Sequence, residues 1–368
     1  MKQPKVALFY DWLNQWGGAE KVLLDLIKIF PEAPLYTLVY DQKLANWLPP
    51  KTKVISSCLN NLPLASSNSP IYTPFYALAL EQFNFSSYDI VISTTSTVGH
   101  CLLTQPHTMF VCYFHNINRY IYETPSSYKI FSPILNLYKK IDKIYSQRPD
   151  HILCNSKNVQ NKIETNYRRP ADVIYPGIDN TLFKPSKSQD FNDYFLLVSR
   201  LVSHKKIELA INACHATKSK LIIVGTGRDQ KQFIKLKQKL NDPNIQFVGQ
   251  ISDKKLTTLY QNCSALICPQ EEDFGLTPIE AQACGKPVIA YNQGGITETV
   301  INEKTGILFE HQTVESLSQA IIKFKKIRLN SEDCIKNAQH YSNQLFMLNF
   351  NQKINRLWSE HQKKITTF

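Results

Sequence analysis

The stretch "EEDFGLTPIEAQACGKP" holds two carboxylates, Glu272 and Glu280, with seven residues between them and a Phe-Gly-Leu bend inside the interval. A carboxylate accepts two neighbouring hydroxyls well, as a ribose 2′,3′-diol presents them. The backbone N–H groups of Phe274, Gly275, Leu276 and Thr277 suit a phosphate or sugar hydroxyls. The same letters support a purely local role. Thr277, Pro278 and Glu280 stand as N-cap, first position and third position of a helix, so Glu280 could simply reach back to the Thr277 backbone. On this stretch alone both readings stay open.

Other residues of chemical interest fall where β-rich runs end. "SRLVSHKKIELAI" places Arg200 at a strand end and Lys205 at the start of the next helix, two cations suited to a diphosphate. "VGTGRD" puts Gly225 where a ligand could approach the backbone closely. "DWLNQWGGAEK" follows the first strand with Asn14 and then Gly17-Gly18, a tight turn into a helix whose N–H groups suit an anion. "TTSTVGHCL" carries His100, and "CYFHNINRYIYE" carries His115 and Arg119. The G-x-G-x-x-G fingerprint of nicotinamide binding is not among these motifs. Nor is a D-x-D metal motif, so the cations would replace a divalent ion and neither cofactor nor metal is expected.

These residues need elements to hold them, and the sequence alternates strand and helix throughout. The first half offers strands at 5–10, 35–40, 89–94, 108–114, 151–156 and 172–176. The second offers 194–200, 220–225, 245–249, 264–269, 287–291 and 306–309, with helices such as 205–216 and 228–240 between them. Buried apolar strands joined by helices imply parallel sheets covered on both faces. Two Rossmann-like α/β domains are therefore expected, at 1–176 and 193–331, with a polar linker at 177–192. A helical segment, 332–368, should return towards the first domain.

A length of 368 residues suits two cores. The composition, 43% hydrophobic and 20% charged, is that of a packed globular protein. Nine cysteines without a C-x-x-C pair argue against a disulfide framework and a zinc site. No apolar run reaches membrane-span length, and "MKQPKVALFYDW" opens as a strand rather than a signal peptide, so a cytoplasmic location is expected. The net charge of +12 favours acidic partners, but it is spread as +5 before residue 185 and +7 after it, without a recognisable nucleic-acid module. Segment 129–148 is amphipathic and basic. It reads either as a core-facing helix with a wet basic face or as a helix resting on an anionic membrane.

Taken in order, "GGAEKV", "HNINRY", "SRLVSHKK" and the paired glutamates around "DFGL" resemble the retaining glycosyltransferases of family 4, most closely a bacterial subgroup of O-antigen-type mannosyltransferases. The resemblance runs from residue 5 to about 325. It implies the GT-B fold, two parallel-sheet domains facing across a cleft, and transfer of a sugar (mannose from GDP-mannose favoured) from a nucleotide diphosphate to a lipid-linked or glycan acceptor. It further implies that Glu280 binds the ribose and Glu272 the donor sugar. Arg200 and Lys205 would take the diphosphate, Gly17-Gly18 would face the donor phosphate or the acceptor, and His115 would lie by the reacting sugar. The sequence departs from the subgroup at Asn116-Ile117-Asn118, where relatives read Thr-Pro-x, and at His100, where a lysine is common. Both changes fall on the expected acceptor side, with Asn14 and Arg119. The rival readings are a nucleotide-sugar epimerase or phosphorylase on the same fold and, from another class, a basic nucleic-acid-binding protein.

Overall fold

The computed structural model describes residues 4–66, 72, 75–123, 132–186 and 193–366. The chain folds as two compact units, one of Met1–Tyr175 with Phe346–Phe368, the other of Pro176–Leu345.

Seven strands form the first sheet: β1 Val6–Leu13, β2 Leu35–Tyr40, β3 Val54–Ser56, β4 Ile90–Thr95, β5 Met109–Phe114, β6 His151–Cys154 and β7 Asp172–Val173. All pair in parallel, in the order β3-β2-β1-β4-β5-β6-β7. Side chains alternate across the sheet. Ala7 and Phe9 of β1 and Phe110, Cys112 and Phe114 of β5 enter one apolar layer. Leu8 and Tyr10, with Met109, Val111 and Tyr113, enter the other. Burial on both faces is why these strands read as continuous apolar runs. The edge strand β3 escaped the sequence reading because it is three half-buried residues long.

The second sheet contains β8 Phe195–Val198, β9 Leu221–Val224, β10 Ile245–Gly249, β11 Ala265–Cys268, β12 Val288–Tyr291 and β13 Gly306–Phe309. It too is parallel, in the order β10-β9-β8-β11-β12-β13. Helices Ile207–Ala216 and Val314–Lys326 bury Ile207, Ala210, Ile211, Leu317 and Ile321 against one of its faces.

The expected linker and tail divide differently from the sequence reading. The amide of Ile178 donates to the Tyr341 carbonyl, and the Asn343 amide to the Ile178 carbonyl, both at 2.9 Å, so the start of 177–192 is pinned inside the second unit. The tail splits at Phe346. Helix Asn343–Thr366 buries Phe346, Phe350, Ile354 and Leu357, one stripe at helical spacing, in the core of the first unit against Tyr113. Hydrophobic burial of about 2 kcal/mol per large side chain holds it there.

Candidate active site

Open parallel sheets bind ligands beyond the carboxyl ends of their strands, where the strand order reverses. In the second sheet the reversal lies between β8 and β11. Residues that follow these two strands meet there: Lys205 Nζ lies 2.7 Å from Glu272 Oε1, with both side chains mostly buried. Gln270, following the same strand as Glu272, donates from Nε2 to that oxygen at 2.6 Å.

Lys205 closes a 3-10 turn, Ser203–Lys205, rather than opening the next helix as expected. Lys206 interrupts the two with a left-handed φ of 53°, and the helix begins at Ile207. Asp229 braces the turn by accepting from the Ser203 amide at 2.7 Å and the Ser203 hydroxyl at 2.6 Å. Arg200 is exposed at the end of β8. Gly225 sits at φ +126° after β9, where a Cβ would fall 2.0 Å from the Ser199 carbonyl oxygen. That contact shows a close approach of two backbone segments, which only glycine allows.

Glu272 is held by its backbone as well. The Gly295 amide donates to its carbonyl at 2.7 Å, and a Cβ at Gly294 would lie 2.3 Å from that same oxygen. The sequence reading missed Gly294-Gly295, although a Gly-Gly pair after the strand "PVIAY" was a visible signal.

The capping role for Glu280 does not survive. Helix Leu276–Ala283 takes Gly275 (φ 92°) as its N-cap, with no side-chain cap, so Thr277 already lies inside the helix. Glu280 points inward, 1% exposed, and its Oε2 accepts the Tyr260 hydroxyl at 2.9 Å. Burial first, then the Glu280 carboxylate, push the Tyr260 phenol far above its ordinary pKa and keep it a donor. Phe274 turns its ring into the core against Tyr341, leaving its backbone to line the bend.

In the first sheet the order reverses between β1 and β4. Buried Asp11 of β1 accepts from the Thr95 hydroxyl at 2.7 Å and from the Ser96, Val98 and Gly99 amides at 2.8, 3.4 and 3.1 Å. It thereby ties down the loop after β4. Burial nevertheless raises its carboxyl above the usual range. Gly17 is the extended N-cap of helix Gly18–Ile29, and buried Glu20 in its first turn accepts from the Tyr10 hydroxyl at 2.5 Å and from Gln15 at 3.1 Å. Asn14 donates from its amide to the Ser66 carbonyl at 2.8 Å. Arg119 pairs with Glu123 at 3.4 Å, and Glu123 also takes Lys162 at 2.7 Å.

The two histidines behave oppositely. His115 shares a 2.7 Å hydrogen bond between Nε2 and the Thr94 hydroxyl, and burial lowers its pKa to about 3, so the ring stays neutral. His100 is fully buried, its Nε2 2.9 Å from Asp142 Oδ1, while Tyr167 donates to Asp142 Oδ2 at 2.8 Å. Burial opposes its charge, yet Cys101 and Asp142 outweigh it and hold the imidazole well above its ordinary value. Assigned to the acceptor side by the sequence, His100 is instead an inward anchor for helix Ser132–Tyr145, which carries Asp142. His100, Cys101 and Asp142 are close enough together to ligate a metal. Both Asp142 oxygens already accept hydrogen bonds, and no other such group occurs among the described residues.

Two doubly wound parallel sheets with ligand-type residues at a switch point define a GT-B protein of the α/β class. Residues 16–182 match the model of Glycosyltransferase Family 4, and residues 166–341 that of Glycosyl transferases group 1. Together these two glycosyltransferase models span the sequence from 16 to 341, which supports membership of glycosyltransferase family 4. An uncharacterized glycosyltransferase of Methanocaldococcus jannaschii is 29% identical over 195 residues, 53% of this chain and 54% of that one, so the match spans about half of each. The α-1,3/1,6-mannosyltransferase ALG2 of Dictyostelium discoideum is 25% identical over 76% of this chain and 77% of its own. Among solved structures, a sucrose-phosphate synthase from Thermosynechococcus elongatus aligns with TM-score 0.81 at 19% identity, over 97% of this chain and 100% of that one. Anabaena HepE in complex with UDP and glucose aligns with TM-score 0.71 at 20% identity over the same shares. These two likenesses bear on fold.

Proposed function

We propose that the chain is a retaining glycosyltransferase that moves mannose from GDP-mannose to a lipid-linked or glycan acceptor in cell-surface polysaccharide synthesis. The observation that carries the reading is the Lys205–Glu272 pair at the β8/β11 reversal, with buried Glu280 one helix turn into Leu276–Ala283. Lys205 and Arg200 take the diphosphate and stabilise it as it leaves, without a metal. Glu272 takes donor-sugar hydroxyls and Glu280 the ribose. The reaction rests on positioning and on stabilising the departing charge, with front-face attack assisted by the leaving phosphate. Neither glutamate serves as a nucleophile. In the first unit, neutral His115 offers a hydrogen-bonding group to a sugar hydroxyl, and Arg119 and Asn14 serve the acceptor. The mannosyl preference is supported by the ALG2 relative.

A second reading, a UDP-sugar donor, is favoured by the likeness to HepE, which was solved with UDP and glucose. A thermal-shift panel of GDP- and UDP-sugars separates the two, since a ligand that binds the folded state raises its melting temperature. A nucleotide-sugar that is turned over to an isomer with no acceptor present would instead mark an epimerase.

The acceptor reading carries a place with it, the inner face of the cytoplasmic membrane. No helix among the described residues is long and apolar enough to cross a membrane. Residues 129–131 of the basic segment lie outside the described residues. Helix Ser132–Tyr145 turns Asp142 inward and exposes Leu137 (57%) and Ile144 (66%) beside exposed Lys140. Apolar and cationic groups sharing one outer face suit an anionic lipid surface.

A further inference from the structure

We infer that Gln270 is a donor-sugar residue that works together with Glu272 and sets which sugar the site accepts. The inference rests on the glycosyl-donor reading and adds a residue that the sequence motifs did not mark.

Gln270 is anchored unusually well for a polar loop side chain. It directly follows Pro269, whose carbonyl accepts from Gln312 Nε2 at 2.9 Å, and it is only 2% exposed. Its Nε2 donates to Glu272 Oε1 at 2.6 Å, the same oxygen that faces Lys205 Nζ at 2.7 Å. Because the carboxylate can only accept, the amide must present nitrogen to it, and this fixes where the amide oxygen lies. That oxygen, Oε1, is buried and has no hydrogen-bond partner. A buried acceptor left unsatisfied costs roughly as much as a lost hydrogen bond, so the position calls for a donor.

Covalent geometry limits where that donor can be. The two ends of an amide are a little over 2 Å apart, so Oε1 lies within about 5 Å of the Glu272 oxygen. A pair of adjacent sugar hydroxyls spans such a gap, one donating to Glu272 and its neighbour to Gln270. The carboxylate's position is already fixed on its backbone side by Gly294-Gly295. Gln270 Nε2 then fixes the carboxylate's orientation, and Gln270 Oε1 reads the next hydroxyl. Lys205, which shares that oxygen, is left to the phosphate.

Calorimetric titration of wild type and Gln270→Met with GDP, GDP-mannose, UDP and UDP-glucose tests this. Methionine is close to glutamine in length and volume, so the loop packing is kept while both polar ends are lost. For the nucleotide that the wild type binds, the sugar-bearing ligand should weaken by about tenfold in the variant, and the bare diphosphate by less than about twofold. Gln270→Ala gives the same comparison if the methionine variant does not fold. Equal weakening of both ligands would make Gln270 a loop scaffold and overturn the inference. No weakening of either would overturn it as well. A wild type that binds none of the four ligands would sink the donor reading itself, a failure distinct from an unchanged ratio in a protein that does bind.

Discussion

Lys205 and Glu272 come from opposite sides of a strand-order reversal and meet at 2.7 Å with 12% and 18% of their side chains exposed. In the proposed reaction each serves a different part of the donor. Lys205→Ala should therefore weaken binding of the bare nucleoside diphosphate. Glu272→Ala should leave that binding nearly intact and slow transfer by about 1.5–3 kcal/mol of barrier, the scale of a hydrogen bond to a charged group. Measuring Kd and kcat for both variants checks the division, and identical profiles would refute it.

Glu280 is buried against Tyr260 rather than turned to the helix end. Glu280→Ala should weaken donor binding by about 1.5–3 kcal/mol, measured as the ratio of Kd values. Tyr260→Phe should keep the fold and reduce affinity by a smaller factor, because the carboxylate loses one of its fixed donors. Unchanged donor affinity in Glu280→Ala, with a lowered melting temperature, would mean a structural role only.

Lys205 and Arg200 supply the positive charge for the leaving diphosphate in this scheme. Excess EDTA should leave turnover largely unchanged. Complete loss of activity, restored by Mg²⁺ or Mn²⁺, would remove the role assigned to the two cations.

The two buried histidines give opposite pH signatures. The folded pKa of His100 is raised, so the stability it contributes is complete below its ordinary value of 6.5 and is lost as pH rises through the raised value. Denaturant unfolding of wild type and His100→Gln should show their largest difference at the acid end and a narrowing gap as pH rises. His115 is lowered to about 3, so its neutral ring favours folding above 6.5, and that contribution drains away as pH falls from 6.5 towards 3. An imidazole NMR titration of His115 should accordingly show no protonation near neutral pH.

Changing Lys139, Lys140 and Lys143 to Glu should release the protein from anionic vesicles at low salt and leave its melting temperature little changed. Each cation near such a surface is worth about 1 kcal/mol. Asp142, whose contacts hold the helix to the first unit, is untouched by these changes. Wild-type protein that never sediments with the vesicles would leave the helix a purely structural element.

The alternation of strands and helices was legible in the sequence because parallel strands buried on both faces must be apolar along their length. Ala7 to Tyr10 and Met109 to Phe114 are such runs. Strand ends were legible for the same reason, and so were Arg200, Lys205, Gly225 and Glu272 beside them. Other features depend on contacts between residues far apart in the chain, and no local pattern encodes them. Thr277-Pro278-Ile279-Glu280 satisfies a capping pattern, yet the 20-residue separation between Tyr260 and Glu280 closes in space and turns the carboxylate inward. His100 looked available beside a glycine, but Asp142 and Tyr167, 42 and 67 positions further on, enclose it. The sequence determined which side chains stand at the strand ends. Tertiary structure decided which of them meet, because burial makes a polar group find its partner wherever the fold brings one within reach.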